Sequence, residues 1–324
     1  MNTTSTVATS GPTTATRAHQ SGRSGPAPRR GLIGRHETRA AWLMLAPALA
    51  LLAWWCASPI VQSIVLSFQS VSKYQLSERQ FIGLDNYTQL FSDPAFGSSV
   101  GITITFVLGV VPAQTVLALV VAATLHGATR GKAAFRTAFF VPYMTSTVAI
   151  TTIFMQLFVK SGPITSILAL FGFPNTTWYA DPSLALAFLV IIYVYMFVGL
   201  YIVIFVGGIE TVPAELYEAA SMDGAGVFRR FWTVTLPGIR PFAVFVLVAG
   251  VIQAVQVFDQ AYVISGGTVL GSPAGATSTI VIFIYQQAFR LSNIGYASAA
   301  TVLLLVIVII GGVISRRVGS KEAA

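Results

Sequence analysis

Hydrogen-bonding side chains lie close together in one strongly apolar part of the chain: Gln253, Gln256 and Asp259. A second apolar run carries two aromatic residues of interest, Tyr193 and Phe197. Amides and carboxylates bond hydroxyl groups, and aromatic faces stack on the apolar faces of pyranose rings. Polar groups within membrane segments are costly, and they mark either pathways or helix contacts. These five residues therefore predict a pathway for an uncharged, polyhydroxylated solute.

The same residues also allow a structural interpretation. Gln and Tyr side chains bridge helices or contact a neighbouring subunit, and Asp259 could hold the outer end of its helix. Residues 253, 256 and 260 recur at helical spacing, so a continuous helix would place them on one face. The sequence leaves both roles open for each residue.

No catalytic set is visible in the sequence. The three histidines, His19, His36 and His126, lie in the tail or at cytoplasmic ends and form no set of paired carboxylates and a nucleophile. The phosphate-binding pattern GxxxxGK[ST] is absent, and the single cysteine, Cys56, excludes a disulfide within one chain. We therefore expect that the chain is not an enzyme and holds no metal site.

The composition indicates that these residues are positioned by membrane-spanning helices. Of the 324 residues, 55% are hydrophobic and 9% are charged, whereas a soluble domain carries about 25% charged residues. Six apolar stretches are long enough to cross a bilayer as helices: they cover residues 41–67, 98–125, 134–159, 184–208, 240–262 and 294–315. Prolines inside these stretches are expected to mark kinks rather than ends: they are Pro47, Pro59, Pro112 and Pro142.

The positive charges predict the orientation of these spans. Fifteen of the nineteen Lys and Arg residues fall on one side if both termini are cytoplasmic. The formal net charge of +8 is then explained mainly by topology, with anionic membrane lipid as the neighbour and no nucleic acid as a partner. We expect a multi-pass protein of the cell membrane with both termini in the cytoplasm.

The domain boundaries follow from the same patterns. Residues 1–40 are rich in Ser, Thr, Pro, Gly and Arg, so we expect a disordered cytoplasmic tail rather than a cleaved signal peptide. Residues 41–318 are expected to form one six-helix domain, and residues 319–324 a short cytoplasmic tail.

A polar insert at residues 209–239 interrupts the apolar pattern with "PAELYEAASMDGAGVFRRFWTVTLPG". Thr211 is expected to cap a first helix, and Gly224 and Gly226 to break it. A second short helix is expected at about residues 226–232, and "LPG" is expected to end it.

The second helix of the insert is expected to be amphipathic. Val227, Phe228, Phe231 and Trp232 would lie on one face, and the Arg229–Arg230 pair on the other. Such a helix pair either lies on the bilayer surface or docks to a cytoplasmic partner. The balance of acids and arginines argues against a DNA-reading role.

The spacing within the insert resembles the EAA motif of permease subunits of ABC importers. That pattern is Glu-Ala-Ala, three residues, Gly, nine residues, an aliphatic residue, any residue and Leu-Pro. Here Glu218-Ala219-Ala220 is followed by Gly224, and then by Val234 and Leu236-Pro237, with Val in place of the commoner Ile. Further segments resemble the first-type permease of carbohydrate-uptake importers of the maltose and glycerol-phosphate kind: "FIGLDNYTQLFSDPAF", "FRTAFFVPY", "FDQAYVISGG" and "IGYASAA".

The resemblance implies an all-α type I ABC importer permease fold with six transmembrane helices. It implies a second permease subunit, two cytoplasmic ABC ATPase subunits and an extracytoplasmic solute-binding protein as partners. ATP and Mg would bind to the ATPase, and this chain would bind no cofactor. The coupling residues that the resemblance implies are Glu215, Tyr217, Glu218, Ala219, Ala220, Met222, Asp223, Gly224, Ala225, Phe228, Leu236 and Pro237.

The cargo expected of such a chain is a sugar, a related polyol or a glycerophosphodiester. An ion-gradient-driven secondary transporter or channel is the alternative. The scarcity of ionisable residues in the spans, where Asp259 is nearly alone, argues against it. A polytopic membrane enzyme is disfavoured by the lack of a His/Asp/Glu cluster.

Overall fold

The structure is a computed structural model that describes residues 35–71, 79–126, 132–267 and 269–321. Most of the predicted disordered tail therefore lies outside the described residues. The helices of the first half are α1 (Arg35–Leu52), α2 (Ser58–Ser67), α3 (Asp85–Ser92), α4 (Pro94–His126), α5 (Lys132–Met144), α6 (Thr147–Leu157) and α7 (Pro163–Ala169). Those of the second half are α8 (Ala185–Glu210), α9 (Ala214–Met222), α10 (Val227–Arg230), α11 (Leu236–Gly238), α12 (Arg240–Val255), α13 (Asp259–Ile264), α14 (Ile280–Tyr285) and α15 (Ile294–Lys321).

Shorter elements complete the secondary structure. Two strands, β1 (Gln69–Ser70) and β2 (Gln80–Phe81), form an antiparallel pair. The π-helical turns are Ala53–Ala57, Phe231–Thr235 and Gln286–Arg290, and a 3₁₀ turn covers Trp178–Ala180.

The chain divides into two compact units, Met1–Ala57 and Ser58–Ala324. The described part of the first unit consists of α1 and the turn Ala53–Ala57. Helix α1 begins at Arg35, within the segment that was expected to be disordered, and Pro47 lies inside it.

The core of the second unit is built around α8, which packs against α4, α5 and α12. Buried apolar residues of these helices form a continuous cluster that includes Ala122, Tyr201, Phe205 and Val246. Gly199 permits the closest approach, because a Cβ atom built there would lie 1.8 Å from the carbonyl oxygen of Phe139 in α5. Small residues allow this kind of backbone contact between membrane helices.

Five described helical segments are long and apolar enough to span a membrane: Ala41–Ser67, Pro94–Leu125, Ala185–Glu210, Arg240–Ile264 and Ile294–Ile314. They confirm five of the predicted spans within a few residues at most ends. The predicted third span, 134–159, is not one kinked helix. It consists of Ala134–Met144 and Thr147–Leu157, which meet at an angle of 97°. Pro142 lies within α5, and the break follows it at residues 145 and 146.

The connection after α2 is tied to the last helix by polar contacts. Asn86 Nδ2 donates to the carbonyl oxygens of Ser67 (2.8 Å) and Gln69 (3.0 Å). The Tyr296 hydroxyl donates to Asp93 Oδ2 at 2.7 Å. These bonds join α3 to the end of α2, and the start of α15 to the residue before α4.

Candidate functional site

One cavity of about 270 Å³ collects all five residues of the predicted substrate pathway. Its walls come from α6, α8 and the region where α12 gives way to α13. The residues that line it are Thr147, Tyr193, Phe197, Gln253, Gln256, Val257, Phe258, Asp259 and Gln260. We call this space the central cavity.

The predicted helical face of residues 253, 256 and 260 is wrong, although all three residues line the central cavity. Helix α12 ends at Val255, and Phe258 has φ −137° and ψ −60°, outside helical values. The amides of Gln256 and Val257 bond the carbonyls of Gln253 (3.2 Å) and Ala254 (3.2 Å) in tight turns. Because the chain turns at this break, Gln253, Gln256 and Gln260 line the same cavity without lying on one continuous helix.

Aromatic rings form the wall that α8 contributes. Tyr193 is 3% exposed, and its ring centroid lies 4.4 Å from that of Phe197. Phe106 in α4 meets the Tyr193 ring edge-on at 5.3 Å, and Tyr143 in α5 meets Phe197 at 5.9 Å. The rings are held by packing from three helices, which preserves their orientation towards the cavity.

The hydroxyl of a tyrosine behind the cavity orients Gln253. The Tyr201 hydroxyl donates to Gln253 Oε1 at 3.0 Å. Gln114 in α4 is 0% exposed. Gly250 leaves room for it, because a Cβ built there would lie 2.6 Å from Gln114 Nε2 and 3.6 Å from the Tyr201 hydroxyl. The bond from Tyr201 holds the Gln253 side chain where it lines the central cavity.

Asp259 is the only charged residue among those that line the central cavity, and it is exposed. Gln256 is also exposed, and its Nε2 donates to the carbonyl oxygen of Ile252 at 3.0 Å. Amides, a hydroxyl, rings and one carboxylate suit a neutral solute rich in hydroxyl groups. Across the described residues no group of three or more His, Cys, Asp and Glu side chains is placed to hold a metal ion.

The sequence reasoning missed Thr147 and Val257, which line the central cavity, and Gln114, which lies behind it. Thr147 begins α6 directly after the 97° bend, and nothing in the local pattern located that bend. Gln114 behind the cavity is a polar residue in an apolar span, which is itself a detectable signal.

The polar insert forms a helix, an elbow and a second helix, as predicted. Helix α9 ends at Met222, and Gly224 then adopts φ +72°, a conformation that glycine favours. Gly226 precedes α10 in an extended conformation. The second helical element continues through the turn Phe231–Thr235 and α11 to Gly238, so it is longer than the predicted residues 226–232. As predicted, "LPG" ends it, because these three residues form its last turn.

The predicted cap of the first helix is wrong. Thr211 ends α8, and its hydroxyl donates back to the carbonyl oxygen of Gly208 at 2.7 Å. Pro213 occupies the position before α9, without a side-chain cap. A threonine hydroxyl can equally well bond a carbonyl oxygen of the preceding turn, so Thr211 serves as the C-cap of α8 instead.

The predicted separation of apolar residues from arginines in the second helix is also wrong. Arg230 is half-buried and turns inward, where its Nη1 donates to Ser221 Oγ of α9 at 3.0 Å. Tyr217 and Thr235 join the two helices by a bond of 3.1 Å between their hydroxyls. These contacts fix the angle between the two arms of the insert.

The outer surface of the insert carries large apolar side chains that are strongly exposed: Met222 (89%), Val227 (78%), Phe228 (77%) and Trp232 (55%). We call these four residues the apolar ridge. Most of the predicted coupling residues are exposed beside it: Glu215, Glu218, Ala219, Asp223, Gly224 and Pro237. The others are half-buried: Tyr217, Ala220, Ala225 and Leu236. Exposed apolar residues rimmed by charges are typical of a docking surface.

The start of the insert is joined to α5 by an ion pair. Arg136 Nη2 donates to Glu210 Oε1 at 2.6 Å, with the side chains 35% and 48% exposed. Glu210 is the last residue of α8, four residues before α9. Helix α5, the first helix of the bent pair, is therefore connected to the start of the insert by this ion pair.

Comparison with known proteins places residues 114–321 in the family described as "Binding-protein-dependent transport system inner membrane component". The chain is 34% identical to the probable ABC transporter permease protein YesP of Bacillus subtilis, over 85% of this chain and 88% of that protein. It is 30% identical to the lactose transport system permease protein LacF of Rhizobium radiobacter, over 83% and 89%.

A solved structure shares the fold. It is a bacterial alginate ABC transporter in complex with a periplasmic protein that holds an alginate pentasaccharide, and the TM-score is 0.71. The sequence identity is 19%, with 88% of this chain and 96% of that chain covered. At this identity the match bears on the fold alone.

Proposed function

The chain belongs to the family of binding-protein-dependent transport system inner membrane components and is a permease subunit of an ABC importer, and from this premise we propose that it forms half of a translocation pathway for a sugar. A related polyol has the same hydroxyl-rich chemistry, and a glycerophosphodiester shares the hydroxyl groups but adds a negative charge. The observation that carries the proposal is the central cavity, where amides and aromatic rings converge around a single carboxylate. The name of one relative refers to lactose, which is a solute of this chemical class.

The proposed partners follow from the family and from two surfaces of the chain. A second permease subunit would complete the pathway, and two ATPase subunits would bind ATP and Mg, so that this chain itself binds no cofactor. An extracytoplasmic solute-binding protein would deliver the sugar, which the description of the family as binding-protein-dependent supports. The distribution of Lys and Arg supports cytoplasmic termini.

The apolar ridge and its acidic neighbours form the proposed docking surface for the ATPase. Closure of the two ATPase subunits would displace the insert, and α8 and α12 would carry the displacement to the central cavity. A ligand shifts such an equilibrium only when it contacts the two states differently. The ridge offers those contacts, because its large side chains extend into solvent.

Reversal of one charge beside the ridge tests the docking. Glu218 is exposed on α9, and Glu218→Lys is expected to remove most of the ATPase that co-purifies with the tagged chain. Interface charge reversals place like charges together and cost several kcal/mol. Asp85→Lys is the matched control, because it reverses an exposed acid on α3, far along the chain from the insert. Normal ATPase recovery with Glu218→Lys would contradict this docking surface.

Loss of two amides tests the central cavity. The double variant Gln253→Ala and Gln256→Ala is expected to raise the KM for uptake roughly tenfold or more, because each lost hydrogen bond weakens binding by about 1 kcal/mol. Uptake would be measured in proteoliposomes with the sugar identified by a ligand screen of the cognate solute-binding protein. Gln89→Ala, at an exposed amide of α3, is the control. Unchanged KM and kcat in an assembled transporter would assign the two amides to packing.

A further inference from the structure

A second cavity lies between the polar insert and the ends of two spans. It has a volume of about 440 Å³, and its apolar walls are Ala123 of α4, Ile209 of α8, and Val227 and Phe231 of the insert. Ala123 and Ile209 lie within two residues of the ends of the spans Pro94–Leu125 and Ala185–Glu210. The cavity is thus at the level where a bilayer surface meets the insert, and we call it the interfacial cavity.

One cation faces this apolar space. Arg230 lines the interfacial cavity and is half-buried, and its Nη1 donates to Ser221 Oγ. Within the described part of the chain this is its one side-chain hydrogen bond, and its buried Nε has no partner there. Among the described residues the ion pair is Arg136–Glu210, and no carboxylate lies within ion-pair distance of Arg230. A cation removed from water is unfavourable unless an anion and hydrogen-bond acceptors accompany it.

An anion that accompanies Arg230 must satisfy two conditions, which follow from the residues that line the interfacial cavity. It must offer oxygen acceptors to a guanidinium, and it must also cover apolar side chains. A small soluble anion meets only the first condition. We propose that the interfacial cavity binds one anionic phospholipid, with its phosphate on Arg230 and the beginning of an acyl chain against Ile209 and Phe231.

An acidic side chain of a docked ATPase is the other possible anion. The lining argues against it, because Ala123 and Ile209 belong to the ends of two candidate membrane spans. The apolar ridge includes Val227 but otherwise consists of residues that do not line the cavity. Lipid binding therefore does not depend on ATPase docking, and it does not depend on the identity of the sugar.

The test uses the full chain purified with its partner subunits and placed in nanodiscs of phosphatidylcholine and phosphatidylglycerol in equal amounts. Native mass spectrometry then measures the phospholipid that remains bound. The wild-type chain is expected to retain phosphatidylglycerol in preference to phosphatidylcholine. Arg230→Gln is expected to lower this preference roughly tenfold, because a charge-assisted hydrogen bond is lost.

Arg229→Gln is the matched control, since it removes the same charge from the exposed neighbouring residue. Ala123→Phe fills the cavity while keeping Arg230, and it should displace the lipid even if Arg230→Gln fails to assemble. Equal effects of Arg229→Gln and Arg230→Gln would reduce the result to surface charge and overturn the proposal. Retention of phosphatidylglycerol by Ala123→Phe would do the same.

Two further measurements distinguish a bound lipid from other anions. Excess inorganic phosphate should leave the bound phosphatidylglycerol in place, and displacement by phosphate would show a simple anion site instead. The lipid should also remain bound whether or not the ATPase subunits are present. Loss of the bound lipid when the ATPase subunits bind would show instead that an ATPase carboxylate is the anion that pairs with Arg230.

Discussion

Uptake is expected to fall to background when Gly224 is replaced by valine. Gly224 has φ +72°, and its amide bonds the carbonyl oxygen of Ser221 at 3.0 Å to close the end of α9. A β-branched residue is a genuine outlier at such an angle, and the strain amounts to about 1–3 kcal/mol. The strain would be relieved by opening the elbow, which separates α9 from α10 and displaces the apolar ridge.

The measurement for Gly224→Val combines uptake with ATPase co-purification. The chain should reach the membrane in normal amounts, because no atom lies within 4 Å of the Cβ position and the core is untouched. Gly226→Ala is the control: its φ of −66° suits any residue, and its Cβ position is equally open. Full uptake by the valine variant would show that the elbow angle does not matter for coupling.

Replacement of Gly199 by alanine is expected to prevent assembly of the spans. The added Cβ would lie 1.8 Å from the Phe139 carbonyl oxygen and 2.6 Å from its carbon, both backbone atoms of α5. Backbone cannot rotate away as a side chain does, so α5 and α8 must separate. Overpacking costs about 1–3 kcal/mol when side chains yield, and a forced backbone shift lies at or above the upper end of that range.

The amount of chain in detergent-solubilised membranes, followed by size-exclusion chromatography, measures the effect. Gly207→Ala is the control within the same helix, because its Cβ position meets no atom within 4 Å. Both variants add one methyl group to α8, so a difference between them reports the contact with Phe139. Equal recovery of the two variants would mean that α5 yields at this point.

Much of the fold could be predicted because membrane-spanning helices have a clear signature in a single sequence. Length and apolarity located five spans, and the spacing from Glu218 to Pro237 located the insert. Gly224 and Gly226 were sufficient to place the elbow. Each of these signals is local, so it does not depend on the neighbouring helices.

The errors concern features that tertiary contacts decide. No proline lies at residues 256–258, yet the fifth span breaks there. The local period placed Arg230 with Arg229, whereas the contact with Ser221 turned it inward. Thr211 could cap either helix by its own chemistry, and only the packing of α8 decided between them.

The central cavity lies where two spans are interrupted. Thr147 follows the bend of the third span, and Gln256, Val257 and Phe258 form the break in the fifth. Backbone outside a helix is tolerated at membrane depth where it lines such a space. Gln256 and Asp259 at this break are exposed, whereas Tyr193 and Val257 line the same cavity and also belong to the buried core. If the cavity accepts the solute as we propose, substitutions at residues 256 and 259 can change which cargo is accepted with little loss of folding stability, which makes specificity readily evolvable at those two positions.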